Sequence, residues 1–113
     1  MSKSVSTANA EHYIWGEVCD GWHLVRTENL SVIEECMPPG AQEQRHRHAR
    51  SRQFFYVLEG ELTMQFDDDV VTVPARHGLQ IAPGVPHQAK NRSSAAVRFL
   101  VISQPPSHGD RIS

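Results

Sequence analysis

From Tyr13 onward, apolar residues come in short runs or alternate with polar ones, and no stretch sustains the i, i+3, i+4 repeat of an amphipathic helix. A period of two belongs to extended chain, whose successive side chains point to opposite faces. The pattern predicts strands over Tyr13–Val18, Trp22–Thr27, Leu30–Met37, Gln44–His48, Gln53–Glu59, Glu61–Phe66, Val70–Val73, Leu79–Ala82, His87–Asn91 and Ala96–Ser103. Breaks fall at Asp20-Gly21, Pro38-Pro39-Gly40, Glu59-Gly60, Asp67-Asp68-Asp69 and Pro83-Gly84-Val85-Pro86. Gly supplies positive φ and Pro presets φ and removes a ladder donor, so these sites mark turns and strand ends. Many short strands with such punctuation imply an all-β sandwich or barrel, and closure hides strand edges that would otherwise recruit other chains.

At 113 residues the chain fits one domain with one site. The expected division is a flexible N-terminus over residues 1–10, a barrel over 11–104 and an irregular tail over 105–113, which can dock on the surface. A net charge of −2 and 39% hydrophobic residues argue against broad nucleic-acid binding. No apolar run approaches the roughly 20 residues of a membrane span, and Met1–Ala10 has no apolar leader core. A cytoplasmic location is the expectation, with Cys19 and Cys36 as reduced thiols.

The candidate chemistry lies in His46-Arg47-His48, with Gln53 five residues on and His87 later in the chain. Residues i and i+2 of a strand share a face, so two imidazoles can converge on one divalent ion. Gln53 opens the next strand, and the rigid Pro83–Pro86 turn aims His87 from a third. Gly40, His46, His48, Gln53 and Gly60 match the first cupin motif, G-x5-HxH-x4-E-x6-G, with glutamine where glutamate is usual. Gly84, His87 and Asn91 match the later part of the second, G-x2-H-x3-N. Ala82 stands where proline is usual, and Arg76-His77 where Gly-Asp is common. From Trp22 to Gln104 the chain resembles a small single-domain cupin. The resemblance implies a double-stranded β-helix, or jelly-roll barrel, with His46, His48, Gln53 and His87 holding one divalent transition metal in its mouth, and a homodimer formed through the early strands.

Gln53 offers a neutral carbonyl oxygen in place of a carboxylate. Three imidazoles and an amide leave the charge of the ion uncompensated, which strengthens it as a Lewis acid and disfavours its oxidation. That tilts the expected function toward a metal-dependent isomerase, epimerase or lyase acting on a small polar or carbohydrate-like metabolite. An Fe(II) dioxygenase and a non-catalytic small-molecule-binding cupin are the alternatives. The donor set admits Fe, Mn, Ni, Zn or Co.

Alternation sends Phe55 and Val57 inward with Gln53. The last strand offers no acid, with Leu100 and Ile102 in the region where some uronate-converting cupins carry one. His77, Glu34 and Glu35 are candidate bases, and no catalytic base is assigned. Arg45, Arg47, Arg50 and Arg52 form the one basic segment, with alternation turning Arg45 and Arg47 to solvent. Trp15 and Trp22 are expected to seal the barrel or a subunit contact.

Overall fold

The computed structural model describes residues 3–113. Its strands are β1 (Glu11–Trp15), β2 (Cys19–Arg26), β3 (Ser31–Met37), β4 (Arg47–His48), β5 (Arg52–Glu59), β6 (Glu61–Gln65), β7 (Val70–Pro74), β8 (Gly78–Ile81), β9 (Gln88–Lys90), β10 (Val97–Gln104) and β11 (Arg111–Ile112). All pairings are antiparallel: a six-stranded sheet in the order β1-β2-β3-β10-β5-β8, a three-stranded sheet β7-β6-β9, and the pair β11-β4. This is the expected all-β jelly-roll barrel. Among the described residues, no helix is long and apolar enough to cross a membrane.

The alternation seen in the sequence becomes the division between inside and outside. On β10, Val97, Phe99, Val101 and Ser103 are buried while the residues between them are partly exposed. On β5, Gln53, Phe55 and Val57 turn inward, as expected, and Phe54 and Leu58 turn out. Phe55 and Phe99 pack with ring centroids 5.9 Å apart, and Met37, Leu62, Met64, Val73 and Ile81 complete the core. Each such side chain contributes about 1.5–3 kcal/mol when fully buried. The apolar filling closes one end of the barrel and leaves the other open for polar groups.

Several local expectations change. The first hairpin does not turn at Asp20-Gly21. It reverses at Gly16 and Glu17, with φ of 57° and 72°, and Asp20 and Gly21 lie inside β2. Gly21 is there for contact: a Cβ would fall 2.3 Å from Cζ of Tyr13, whose ring covers its cross-strand partner. A glycine that reads as a turn is thus a seat for an aromatic ring. Arg76 adopts φ 66° in the turn before β8, at the position where related motifs commonly carry glycine, a strain of roughly 1–2 kcal/mol. The tail is not wholly irregular: β11 returns to pair Arg111 with His48 and Ile112 with Arg47.

Candidate metal centre

His46, His48 and His87 come together because three segments meet at the open end. His46 and His87 face each other across an isolated antiparallel bridge, closed by His46 N–H to the His87 carbonyl at 3.0 Å and the reverse bond at 2.8 Å. His48 follows two residues after His46 on β4. The Gly84 N–H donates to the His48 carbonyl at 2.7 Å, tying the Pro83–Pro86 turn to the same strand. One ligand atom from each imidazole lies within 4.8 Å of the others, and all three side chains are buried.

Each ring is held by Nδ1. That of His46 donates to the Gln44 carbonyl at 2.8 Å, and that of His87 to the Val85 carbonyl at 2.9 Å. A carbonyl can only accept, so these rings carry their proton on Nδ1 and keep the Nε2 lone pair free. His48 Nδ1 instead meets the Asp110 carboxylate at 2.8 Å. That carboxylate also accepts from the backbone N–H of Arg50 at 3.0 Å and of Ser51 at 2.8 Å. Burial works against its ionisation, but these two N–H groups and His48 outweigh it and hold Asp110 below the ordinary carboxylate range. Burial pushes the pKa of His46 down to about 4, the Gln44 carbonyl opposing and His87, Arg111 and His48 assisting. Burial likewise lowers that of His87. Both rings are therefore neutral at pH 7, the form that coordinates a metal.

Gln53 opens β5 on the same cavity, where its Nε2 donates to Ser103 Oγ at 3.1 Å. That bond orients the amide and leaves Oε1 buried without a hydrogen-bond partner, as is His87 Nε2. An unsatisfied buried acceptor costs about 1–3 kcal/mol. Two of them beside two further imidazoles fit a cation, which accepts lone pairs from both at once.

The centre opens into a cavity of about 740 Å³. Its far wall is the inner face of β1–β3, where Tyr13, His23, Ile33 and Glu35 project, with Glu43 beside His46. Burial, then the charge of Glu43, raises the pKa of Glu35 to about 8, while a 3.5 Å hydrogen bond from Tyr13 Oη acts the other way. Glu43, raised to about 7 mainly by burial, accepts from the Ala89 N–H at 2.9 Å and lies 3.9 Å from His46 Nδ1.

Of the three candidate bases, only Glu35 lines the cavity. Glu34 is bonded to Arg98 at 2.9 Å, and Arg98 sits 5.3 Å over the Trp22 ring on the outer face. His77 is exposed in the turn between β7 and β8, bonded to the Ala75 carbonyl. Trp22 therefore lies outside the cavity, and Trp15 packs against the core. Leu100 and Ile102 do not occupy the site region: β10 presents Val101 and Ser103 to the cavity, because strand alternation puts its odd-numbered residues inside. The strand still brings no acid. Arg45 is exposed and paired with Asp67, Arg47 and Arg52 are exposed, and Arg50 alone of the basic segment lines the cavity. Asp110, Glu43 and Arg111 were not singled out by sequence reasoning, since no spacing ties the tail to β4.

An antiparallel jelly-roll with three convergent imidazoles in its open end defines a class of barrel proteins with a histidine metal site. The chain belongs to the Cupin_2 family, the cupin domain, which it matches over residues 33–103. It is 32% identical over 81 residues to an uncharacterized protein of Methanocaldococcus jannaschii, an alignment covering 71% of this chain and 65% of that one. Among solved structures it is similar in fold to the polyketide cyclase RemF from Streptomyces resistomycificus (TM-score 0.83, 21% identity, 96% of this chain and 82% of that one). It is similar also to a cupin-superfamily sugar phosphate isomerase from Silicibacter pomeroyi (TM-score 0.80, 20% identity, 92% and 76%).

Proposed function

We infer that the protein is a metal-dependent enzyme of isomerase, epimerase or lyase type, acting on a small polar, oxygen-rich metabolite. The observation that carries this is the donor set: the convergent imidazoles of His46, His48 and His87, with the Gln53 amide, whose Oε1 has no hydrogen-bond partner, on the wall of the cavity that His46 and His48 also line. A divalent ion held by four neutral donors keeps its charge uncompensated and acts as a Lewis acid toward anionic oxygens. Around it the chain's own groups divide the work. Asp110, Gln44 and Val85 orient the rings, Ser103 orients the amide, and Phe55 and Val101 line the adjoining wall. Glu35 holds a proton at its carboxyl at neutral pH and is the group placed to exchange one with a ligand in the cavity. The isomerase and cyclase names borne by proteins of the same fold support a reaction at carbon next to oxygen-bearing groups.

Elemental analysis of wild type against His46→Ala/His48→Ala tests the centre: about one metal per chain is expected in the first and none in the second. Equal metal in both removes the reading. Oxygen uptake by protein loaded anaerobically with Fe(II), then mixed with oxygen and diketones, catechols or flavonols, would replace the isomerase class by a dioxygenase.

The reading extends to a homodimer in the cytoplasm. Phe54 and Leu58 are exposed on the outer face of the six-stranded sheet, alongside Trp22, Leu100 and Ile102, which supports face-to-face pairing of two copies. Light scattering should give twice the chain mass, and Phe54→Glu should halve it. Cys19 and Cys36 are both free thiols, which suits a reducing compartment, and cell fractionation checks the location.

A further inference from the structure

Among the described residues, three arginines are already engaged in ion pairs. Arg26 pairs with Glu11, Arg45 with Asp67 and Arg98 with Glu34. Arg111 is different. It is paired with His48 in the β11–β4 ladder, and directly opposed residues of an antiparallel pair send their side chains to the same side. His48 turns toward the candidate metal centre, so Arg111 follows it, and both line the cavity. Among the described residues its guanidinium joins no ion pair; its one side-chain hydrogen bond runs from Nη2 to the Gln44 carbonyl at a long 3.4 Å. Its charge is nonetheless felt across the site, disfavouring protonation of His46 and His87 and favouring ionisation of Glu43. A cation with free donors, aimed into a cavity beside the histidine cluster, lacks only an anion.

We propose that Arg111 is the anion anchor of this cavity, gripping the carboxylate or phosphate of a ligand whose other end faces His46, His48 and His87. A guanidinium matches either oxyanion with two parallel N–H donors, and the exposed position lets it meet the ligand at the entrance. Arg26 and Arg50 also line the cavity; Arg26 is paired with Glu11, while Arg50 adds charge and commits its backbone N–H to Asp110. The ligand class is therefore a small acid carrying a second oxygen-bearing group.

The proposal rests on metal binding by the three histidines, and the test separates the two. Protein loaded with Co(II) is titrated with malonate, with 2-phosphoglycolate and with azide, following the visible d–d bands. In Arg111→Gln the apparent Kd for at least one of the two larger anions is expected to rise tenfold or more, with Co(II) content unchanged and azide, which carries no carboxylate or phosphate to be gripped, within twofold. A rise for malonate alone assigns a carboxylate anchor, and a rise for 2-phosphoglycolate alone a phosphate anchor. Arg45→Gln, which removes an arginine already paired with Asp67, should change neither. If Arg111→Gln loses metal, Arg111→Lys replaces it and is expected to weaken the larger anions several-fold by breaking the two-pronged contact. Unchanged binding of both in the Arg111 variant, or equal weakening of azide, overturns the anchor alone. Failure of the wild type to take up Co(II) overturns the metal reading and the anchor with it.

Discussion

The three histidines are held in two different ways. At the bridge between the segment before β4 and the segment before β9, His46 and His87 each lean on a carbonyl two residues back in their own chain. At the seam between β4 and β11, His48 leans on Asp110, sixty-two residues away. These two acceptors are local in sequence and belong to the backbone, so no side-chain change nearby removes them. The seam is long-range and depends on one carboxylate and the return of the tail. A metal site can thus carry a strong motif and still be completed by a segment outside it.

The largest expected effect follows from removing an anchor of the bridge itself. His87→Ala should abolish metal binding, from about one ion per chain to none by elemental analysis, since His87 Nε2 is buried with no other partner. Full metal content in this variant would mean that His46, His48 and Gln53 suffice.

Asp110→Asn tests the seam. The amide oxygen can still accept from both backbone N–H groups, but the side chain no longer offers His48 a charged acceptor, and metal affinity should fall about 10- to 100-fold in competition with a chromophoric chelator. Gln44→Ala, which keeps the carbonyl under His46, should move it less than about twofold. Similar losses in both variants would erase the distinction between bridge and seam.

A smaller effect is expected where the fourth donor is oriented. Ser103→Ala takes the acceptor from Gln53 Nε2 and frees the amide to rotate, at a cost of about 0.5–1.5 kcal/mol in a typical hydrogen bond. Chelator competition should register a loss of a few-fold in affinity. No change would show that Gln53 is not a ligand.

The same contrast explains what could be read from the chain. The histidines themselves were legible because their cues are short-range: His46 and His48 at i and i+2, glycines at fixed offsets, and a rigid Pro83–Pro86 turn delivering His87. Strand alternation also placed Phe55 and Val57 correctly behind Gln53. Where one residue type serves two purposes, the reading failed. Gly21 serves as a seat for Tyr13 rather than a turn, which moved the first hairpin. A strand whose outward face is also apolar hides its register, and Leu100 and Ile102 were placed at the site for that reason. Asp110 and Arg111 were invisible because nothing in Pro105–Ser113 declares which strand it will meet.

Acid should dismantle the two regions in sequence in the metal-free protein. Buried His46 has its pKa pushed down to about 4, and His87 is lowered as well, so the unfolded chain takes up protons near its ordinary pKa of about 6.5 while the native bridge resists. Stability from the bridge is whole above about pH 6.5 and is lost between there and about pH 4. Asp110 is lowered below the ordinary 3.8, so its contribution survives that window and is lost only as the pH falls further. Glu35 and Glu43, raised to about 8 and about 7, act in the opposite sense, since native burial resists their ionisation and their contribution shrinks as pH rises from about 4.5. The wild-type curve of Tm against pH therefore mixes opposing slopes, and variants separate them. His46→Gln should flatten the loss between pH 6.5 and 4, whereas Asp110→Asn should lower Tm at pH 5 to 7 without changing the slope there. Parallel curves for wild type and His46→Gln would show that His46 is not the neutral buried ring on which the bridge depends.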